Sequence, residues 1–264
     1  MRPNTFQNPP ALRTGQYATS VNLNARANLH INYSTAEIPW FSWYFDQIDL
    51  PDRVDMLEIG CGPGHFWREN ADRIPTSRYV LTDLSTGMVT ETREHISSLG
   101  DFRFAVTDAR RRPFPDNAFN VVMANHMLYH VPDRPAALSE IHRVLKPGGR
   151  FYAATNGNNH MLELREAIVR IDPALEDGFG SGEFGLDTGA DQLMPFFENV
   201  TCSRFDCDLE APLIAPVLGY VESAKRLDED QLAQLAQELA AWLDRDGVIR
   251  IQKNAGFFVC TKRG

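Results

Sequence analysis

Long apolar runs are missing from this 264-residue chain. No stretch approaches the roughly 20 consecutive apolar residues that cross a bilayer, so nothing in it reads as a membrane span. Cysteine is scarce. Cys61, Cys202, Cys207 and Cys260 show neither the paired spacing of a metal site nor the density of a disulfide scaffold, which suits a reducing, cytoplasmic setting. Positive charge is the minority sign. A net charge of -9 opposes non-specific attraction to nucleic acid, and Arg110-Arg111-Arg112 is the single dense basic run. That run reads as a solvated loop, with a contact to phosphate as the alternative. Internal repeats and low-complexity tracts are absent. The start, Met1 to Pro10, lacks the apolar core of a signal peptide and reads as a flexible leader. What remains is the composition of an ordinary globular protein, long enough for one α/β core with embellishments.

The most informative stretch is Val54-Asp55-Met56-Leu57-Glu58-Ile59-Gly60-Cys61-Gly62-Pro63-Gly64. Val54, Met56, Leu57 and Ile59 read as a buried strand, and the alternate glycines permit positive φ and close approach of backbone to a ligand. The spacing narrows the ligand. A dinucleotide fingerprint would place its third glycine at position 65, which is His65, and no Gly-Lys-Ser/Thr follows as in a Walker loop. Glu58, two residues ahead of Gly60, is a poor neighbour for pyrophosphate but suits a cationic ligand bearing an ammonium and a sulfonium. S-adenosylmethionine fits that description.

From Val54 onward, strand-like runs alternate with helical patterns, as in a parallel sheet with crossover helices. Strands are expected near Val54 to Ile59, Arg78 to Thr82, Phe102 to Val106, Phe119 to Ala124 and Arg150 to Thr155. Asp133 caps a helix with Pro135 in its first turn, and Pro147-Gly148-Gly149 ends it. After residue 185 the pattern predicts a short helix near Asp191 to Phe197, a strand near Val200 to Cys207 and two helical stretches. The second of these is capped by Asp228 and carries an apolar stripe of Leu232, Leu235, Leu239 and Trp242, one possible contact surface for a second copy. Val248 to Gln252 and Phe257 to Cys260, joined around Lys253-Asn254-Ala255-Gly256, read as an antiparallel pair closing the sheet. Upstream, Trp40-Phe41-Ser42-Trp43-Tyr44-Phe45 is too aromatic for a free tail. It reads as a helix packed on the core, as a lid over a substrate pocket, or as both.

Four ordered segments carry a family resemblance: Glu58 to Gly64, Leu81-Thr82-Asp83-Leu84-Ser85, Thr107-Asp108-Ala109, and Arg143 to Gly149. Together, over residues 54 to 156, the chain resembles the class I S-adenosylmethionine-dependent methyltransferases, in particular the ubiquinone and menaquinone type and natural-product enzymes. The resemblance implies a Rossmann-like doubly wound α/β sheet, mostly parallel with an antiparallel last strand, plus an N-terminal helical lid and a helical insertion before the last strand. A single domain over 1–264 is expected, with a lid extension at 1–52, a cofactor-binding core at 53–157 and the substrate-side half at 158–264.

If the strand order follows the resemblance, the motif residues meet beyond the carboxyl ends of the strands. Gly60, Cys61, Gly62 and Gly64 would pass beneath the methionine and ribose parts of S-adenosylmethionine, with Glu58 adding a negative field. Asp83 would accept both ribose hydroxyls. Leu84 and Met88 would flank the adenine, Asp108 would accept its amino hydrogen, and Ala109 would leave room for the ring. Asn125 and His126 would lie near the methyl-donating end, with His126 the candidate base and His160 a second. His130 reads as structural. Tyr17, His30, Tyr33, Trp40 and Asn156 are the candidate substrate contacts, and no metal is required.

The function so implied is methyl transfer to a small organic acceptor, on oxygen or nitrogen with carbon left open, by in-line displacement. Two alternatives stand beside it: methylation of RNA or protein, motivated by the arginine run, and a cofactor-binding partner protein without turnover. Monomer and homodimer are both open.

Overall fold

The computed structural model describes residues 18–50, 52–111, 113–178, 184–224 and 227–264. The leader at Met1 to Pro10, Tyr17 and Arg112 lie outside them. Seven strands form one sheet in the order β3-β2-β1-β4-β5-β7-β6. They are β1 Asp55–Ile59, β2 Arg78–Asp83, β3 Asp101–Val106, β4 Phe119–Asn125, β5 Leu145–Asn156, β6 Glu198–Ala211 and β7 Ile249–Thr261. β1 to β5 run parallel, and β7 runs antiparallel to both of its neighbours, as the sequence led one to expect.

The helices are α1 Val21–Asn32, α2 Trp40–Gln47, α3 His65–Glu69, α4 Thr86–Ile96, α5 Arg134–Val144, α6 Leu162–Ile171, α7 Gly189–Leu193, α8 Ile214–Ser223 and α9 Glu229–Asp246. Side chains alternate across a strand, so each central strand feeds two cores. Leu57, Val122, Ala124, Phe151 and Ala153 pack with Leu138 and Ile141 of α5 on one face. Met56, Val121, Met123, Tyr152 and Ala154 face the other way, against Tyr44 of α2 and Trp67 of α3. A third cluster forms where Leu209 and Ala211 of β6 pair with Ile251 and Ile249 of β7. It gathers Leu29 of α1, Leu164 and Ile168 of α6, Val217 of α8, and Leu235 and Leu239 of α9. The apolar stripe of α9 is thus covered within the chain, with Leu235 and Leu239 fully buried.

Local chemistry sets the helix starts. Asp133 Oδ1 accepts the Ala136 N–H at 3.1 Å, and Asp228 and Gln231 form a reciprocal capping box. Two sequence expectations are corrected. Pro147-Gly148-Gly149 does not end α5, which stops at Val144; Leu145 already opens β5, and the Gly148 N–H donates to the Lys262 carbonyl at 3.0 Å. Nor is there a hairpin around Lys253 to Gly256. β7 is one continuous strand, because β6 pairs with all four of those residues and β5 with Ala255 and Gly256. Polar and small residues resembling a turn are tolerated there because ladder hydrogen bonds outweigh weak local preference.

Candidate active site

The parallel register sets Ile59 of β1 beside Thr82 of β2 and Ala124 of β4, so the chain leaves these three strands at one edge of the sheet. There the turn after β1 winds through three left-handed glycines, Gly60, Gly62 and Gly64, with φ of 72°, 54° and 79°. A methyl group on Gly60 would sit 2.8 Å from Met127 Cβ, so glycine is demanded by space as well as by φ. Asp83, the last residue of β2, clamps this turn. Its carboxylate accepts the Gly62 N–H at 3.1 Å and the Ser85 N–H at 2.8 Å, while Ser85 caps α4.

The turn forms part of the wall of a cavity of about 480 Å³. Of the residues expected at a cofactor site, Glu58, Gly60, Cys61, Gly62, Asp83, Leu84, Met88, Asp108, Ala109, Asn125 and His126 all line it. Of the expected acceptor-side residues, His30, Trp40, Asn156 and His160 do so. Gly64 is not among the lining residues; its left-handed φ starts α3, and a methyl group on it would approach Thr92 Cγ2 to 3.2 Å. Tyr33 does not line it either and packs on the third cluster. α2 packs on the core and also borders the cavity. Tyr44 and Phe45 are buried in the core, while Trp40 and Phe41 face the cavity.

Charge is unevenly placed around this space. Glu58, only 2% exposed, accepts the Trp67 Nε1–H at 2.6 Å and an Asn125 Nδ2–H at 2.9 Å. Burial pushes its carboxyl up to about 7 against those two donors, with Asp83 adding to the rise. Burial likewise raises Asp83, opposed by its backbone donors. Asp108 is engaged by Arg110, whose Nε and terminal nitrogen donate at 3.0 and 2.7 Å. The arginine run therefore spends its first member on an internal fork. Asn125 Oδ1 is buried with no protein hydrogen-bond partner, an unmet acceptor beside the glycine turn. An adenosyl ligand with vicinal hydroxyls and an ammonium fits this set: an open backbone cradle, a carboxylate and an unmet acceptor.

At the other end, three imidazoles gather. His126 follows β4 with φ of 50°, its N–H donating to the Ala154 carbonyl at 2.9 Å and its ring 5.6 Å from Trp40. Burial, then Lys253, lowers it to about 4. His160, lowered to about 3 by burial and then by Lys253, accepts the Asn254 N–H on Nδ1 at 3.3 Å, which leaves the proton of the neutral ring on Nε2. His30 stacks on His160 at 5.5 Å between ring centroids, and burial also lowers it well below 6.5. Sequence reasoning missed Arg26, Tyr220 and Lys253, which also line the cavity. The period-two run Ile249, Ile251, Lys253, Ala255, Phe257, all buried in one strand, was the signal that would have found Lys253.

Sheet order, the antiparallel β7 and the glycine turn beneath Asp83 define a Rossmann-like fold of the class I methyltransferase kind. Residues 57–153 match the family model described as "Methyltransferase domain". Over these residues the chain resembles the class I S-adenosylmethionine-dependent methyltransferases, and it shares their fold. It is similar to malonyl-[acyl-carrier protein] O-methyltransferase 2 of Ilyobacter polytropus, 29% identical over 128 residues that cover 48% of this chain and 49% of that one. A second relative is the mitochondrial arginine-hydroxylase NDUFAF5 of Danio rerio, 32% identical over 47% of this chain and 37% of the relative. The chain thus spans at most about half the length of these curated relatives. Among solved structures, phosphoethanolamine N-methyltransferase 2 of Haemonchus contortus, in complex with S-adenosyl-L-methionine, shares the fold. Its TM-score is 0.62 at 19% identity, covering 98% of this chain and 60% of that one.

Proposed function

We propose that this chain is an enzyme that binds S-adenosylmethionine in the cavity and passes its methyl group to a small organic acceptor on oxygen or nitrogen. The observation that carries this reading is the turn of left-handed glycines tied to Asp83, opening into one cavity that continues to the imidazole cluster. When bound, the cofactor supplies an electrophilic methyl carbon on a positively charged sulfur.

The chain's own residues then have separable tasks. Asp83 has lone-pair capacity left beside its backbone donors Gly62, Ser85 and Leu84 to accept a ribose hydroxyl. Leu84, Met88 and Ala109 offer apolar walls to a flat ring, and Asn125 Oδ1 awaits a donor. Trp40 and Phe41 help exclude water, which favours an in-line displacement between aligned partners. His126 and His160 are neutral at physiological pH because burial depresses both. A neutral His126 has one ring nitrogen able to accept a hydrogen bond, whereas His160 presents its Nε2–H as a donor, and neither is a strong base. The geometry therefore favours an acceptor that arrives already able to attack. Residues 53–157 serve here as the cofactor half and 158–264, with the N-terminal helices, as the acceptor half. Four free cysteines, Cys61, Cys202, Cys207 and Cys260, are consistent with a cytoplasmic enzyme.

The test is transfer of labelled methyl from S-adenosylmethionine into cell extract, with mass identification of the product. A labelled metabolite of low mass is the expected result. Label confined to RNA or protein, or no label in any extract, would overturn the small-acceptor reading.

A further inference from the structure

Lys253 occupies an inward register position in β7, where its flanking residues Ile251 and Ala255 are buried core. It is 8% exposed and lines the cavity. Its Nζ lies 5.0 Å from the centroid of the Phe205 ring, and it makes no ion pair among the described residues. A buried ammonium without a counter-charge is costly: it gives up its proton unless an opposite charge, here one that a ligand could bring, completes it. Its surroundings point the same way. The groups that shift His30, His126 and His160 are Lys253, Arg26, Arg165 and one another, with no carboxylate among them. Burial lowers Lys253 itself, opposed by the Cys207 thiol, its hydrogen-bond partner, and no carboxylate acts on it. His30 Nδ1 is a buried polar atom in the same cluster with no hydrogen-bond partner. This basic end lies away from the acidic end. Asp83 on β2 and Lys253 on β7 are separated by β1, β4 and β5, or roughly 19 Å at about 4.8 Å per strand.

We propose that the methyl acceptor carries an anion, a carboxylate or a phosphate, that docks on Lys253 Nζ with His30 and His160 beside it. The inference rests on the methyltransferase reading and adds the chemical class of the acceptor. An anionic group of this kind needs no base in the pocket to ionise it. It also gives the lysine the counter-charge that the fold withholds.

The probes are benzoate, inorganic phosphate, benzamide and benzylamine, each titrated by calorimetry into the full chain, with and without S-adenosylhomocysteine. Benzoate or phosphate is expected to bind, and Lys253→Met to weaken that anion about tenfold to a hundredfold, the range of a charge-assisted contact. Lys253→Arg, which keeps the charge, is expected to retain anion binding within about tenfold. Preference between benzoate and phosphate distinguishes the two sources of the anion. Binding of neither anion, equal binding of benzamide or benzylamine, or anion affinity unchanged in folded Lys253→Met would each overturn the proposal. Failure of the parent reading is seen separately, as wild-type protein that does not bind S-adenosylhomocysteine, while the anion titrations without it still stand.

Discussion

Asp83→Ala is expected to lower the affinity for S-adenosylhomocysteine by about tenfold to a hundredfold, the loss of one charge-assisted contact worth about 1.5–3 kcal/mol. The carboxylate ends β2 at the point where the glycine turn passes, and it holds the Gly62 and Ser85 N–H groups at 3.1 and 2.8 Å. Alanine removes the proposed acceptor for the ribose and also frees the turn that would underlie the ligand. Asp83→Asn separates the two effects. Its amide keeps one oxygen for a backbone donor, so the turn is better preserved while a ribose hydroxyl meets an N–H instead of a second oxygen. Calorimetry on folded variants checks this. Affinity unchanged in Asp83→Ala would remove Asp83 from the site.

The second large effect is on stability against pH. Glu58 is raised from 4.5 to about 7, chiefly by burial. Between those values the unfolded chain has released the proton that the folded chain still holds, so stability falls as pH rises through this window. Complete passage costs about 3 kcal/mol at 1.36 kcal/mol per pKa unit. The loss begins near the unfolded value and is finished above the folded one. Glu58→Gln has no proton to release. Chemical denaturation of both proteins at several pH values between about 4 and 8 should show the wild type losing about 3 kcal/mol relative to the variant. A constant difference between the two would show that Glu58 ionises normally.

Much of the fold could be read from the chain because its signals are local. Apolar runs in β1 and β4, the Asp133 and Asp228 caps and the glycine spacing each act over a few residues, and all appear where expected. The grouping of Glu58, Gly60, Cys61, Gly62, Asp83, Leu84, Asp108, Ala109, Asn125 and His126 around one cavity was legible for the same reason, since each lies within about three residues of a strand end. The acceptor side was harder. Lys253 looks like part of a turn because Lys253-Asn254-Ala255-Gly256 is locally turn-like, and only pairing with the distant β6 makes it strand. Arg26 and His30, four residues apart on α1, both face the cavity through packing of that helix against α8. Tyr33, one residue beyond α1, turns into the third cluster instead. No periodicity within the leading segment distinguishes these fates. Glu58 illustrates a further limit. Its position was plain, but its partners Trp67 and Asn125 come from elements that only the folded sheet brings together.

The most direct measurement is a crystal structure of the protein soaked with S-adenosylhomocysteine. The ribose should lie within hydrogen-bonding distance of the Asp83 carboxylate, the adenine between Leu84 and Ala109, and the amino-acid end toward Asn125. Density for that ligand elsewhere, or a ribose turned away from Asp83 in this cavity, would contradict the account.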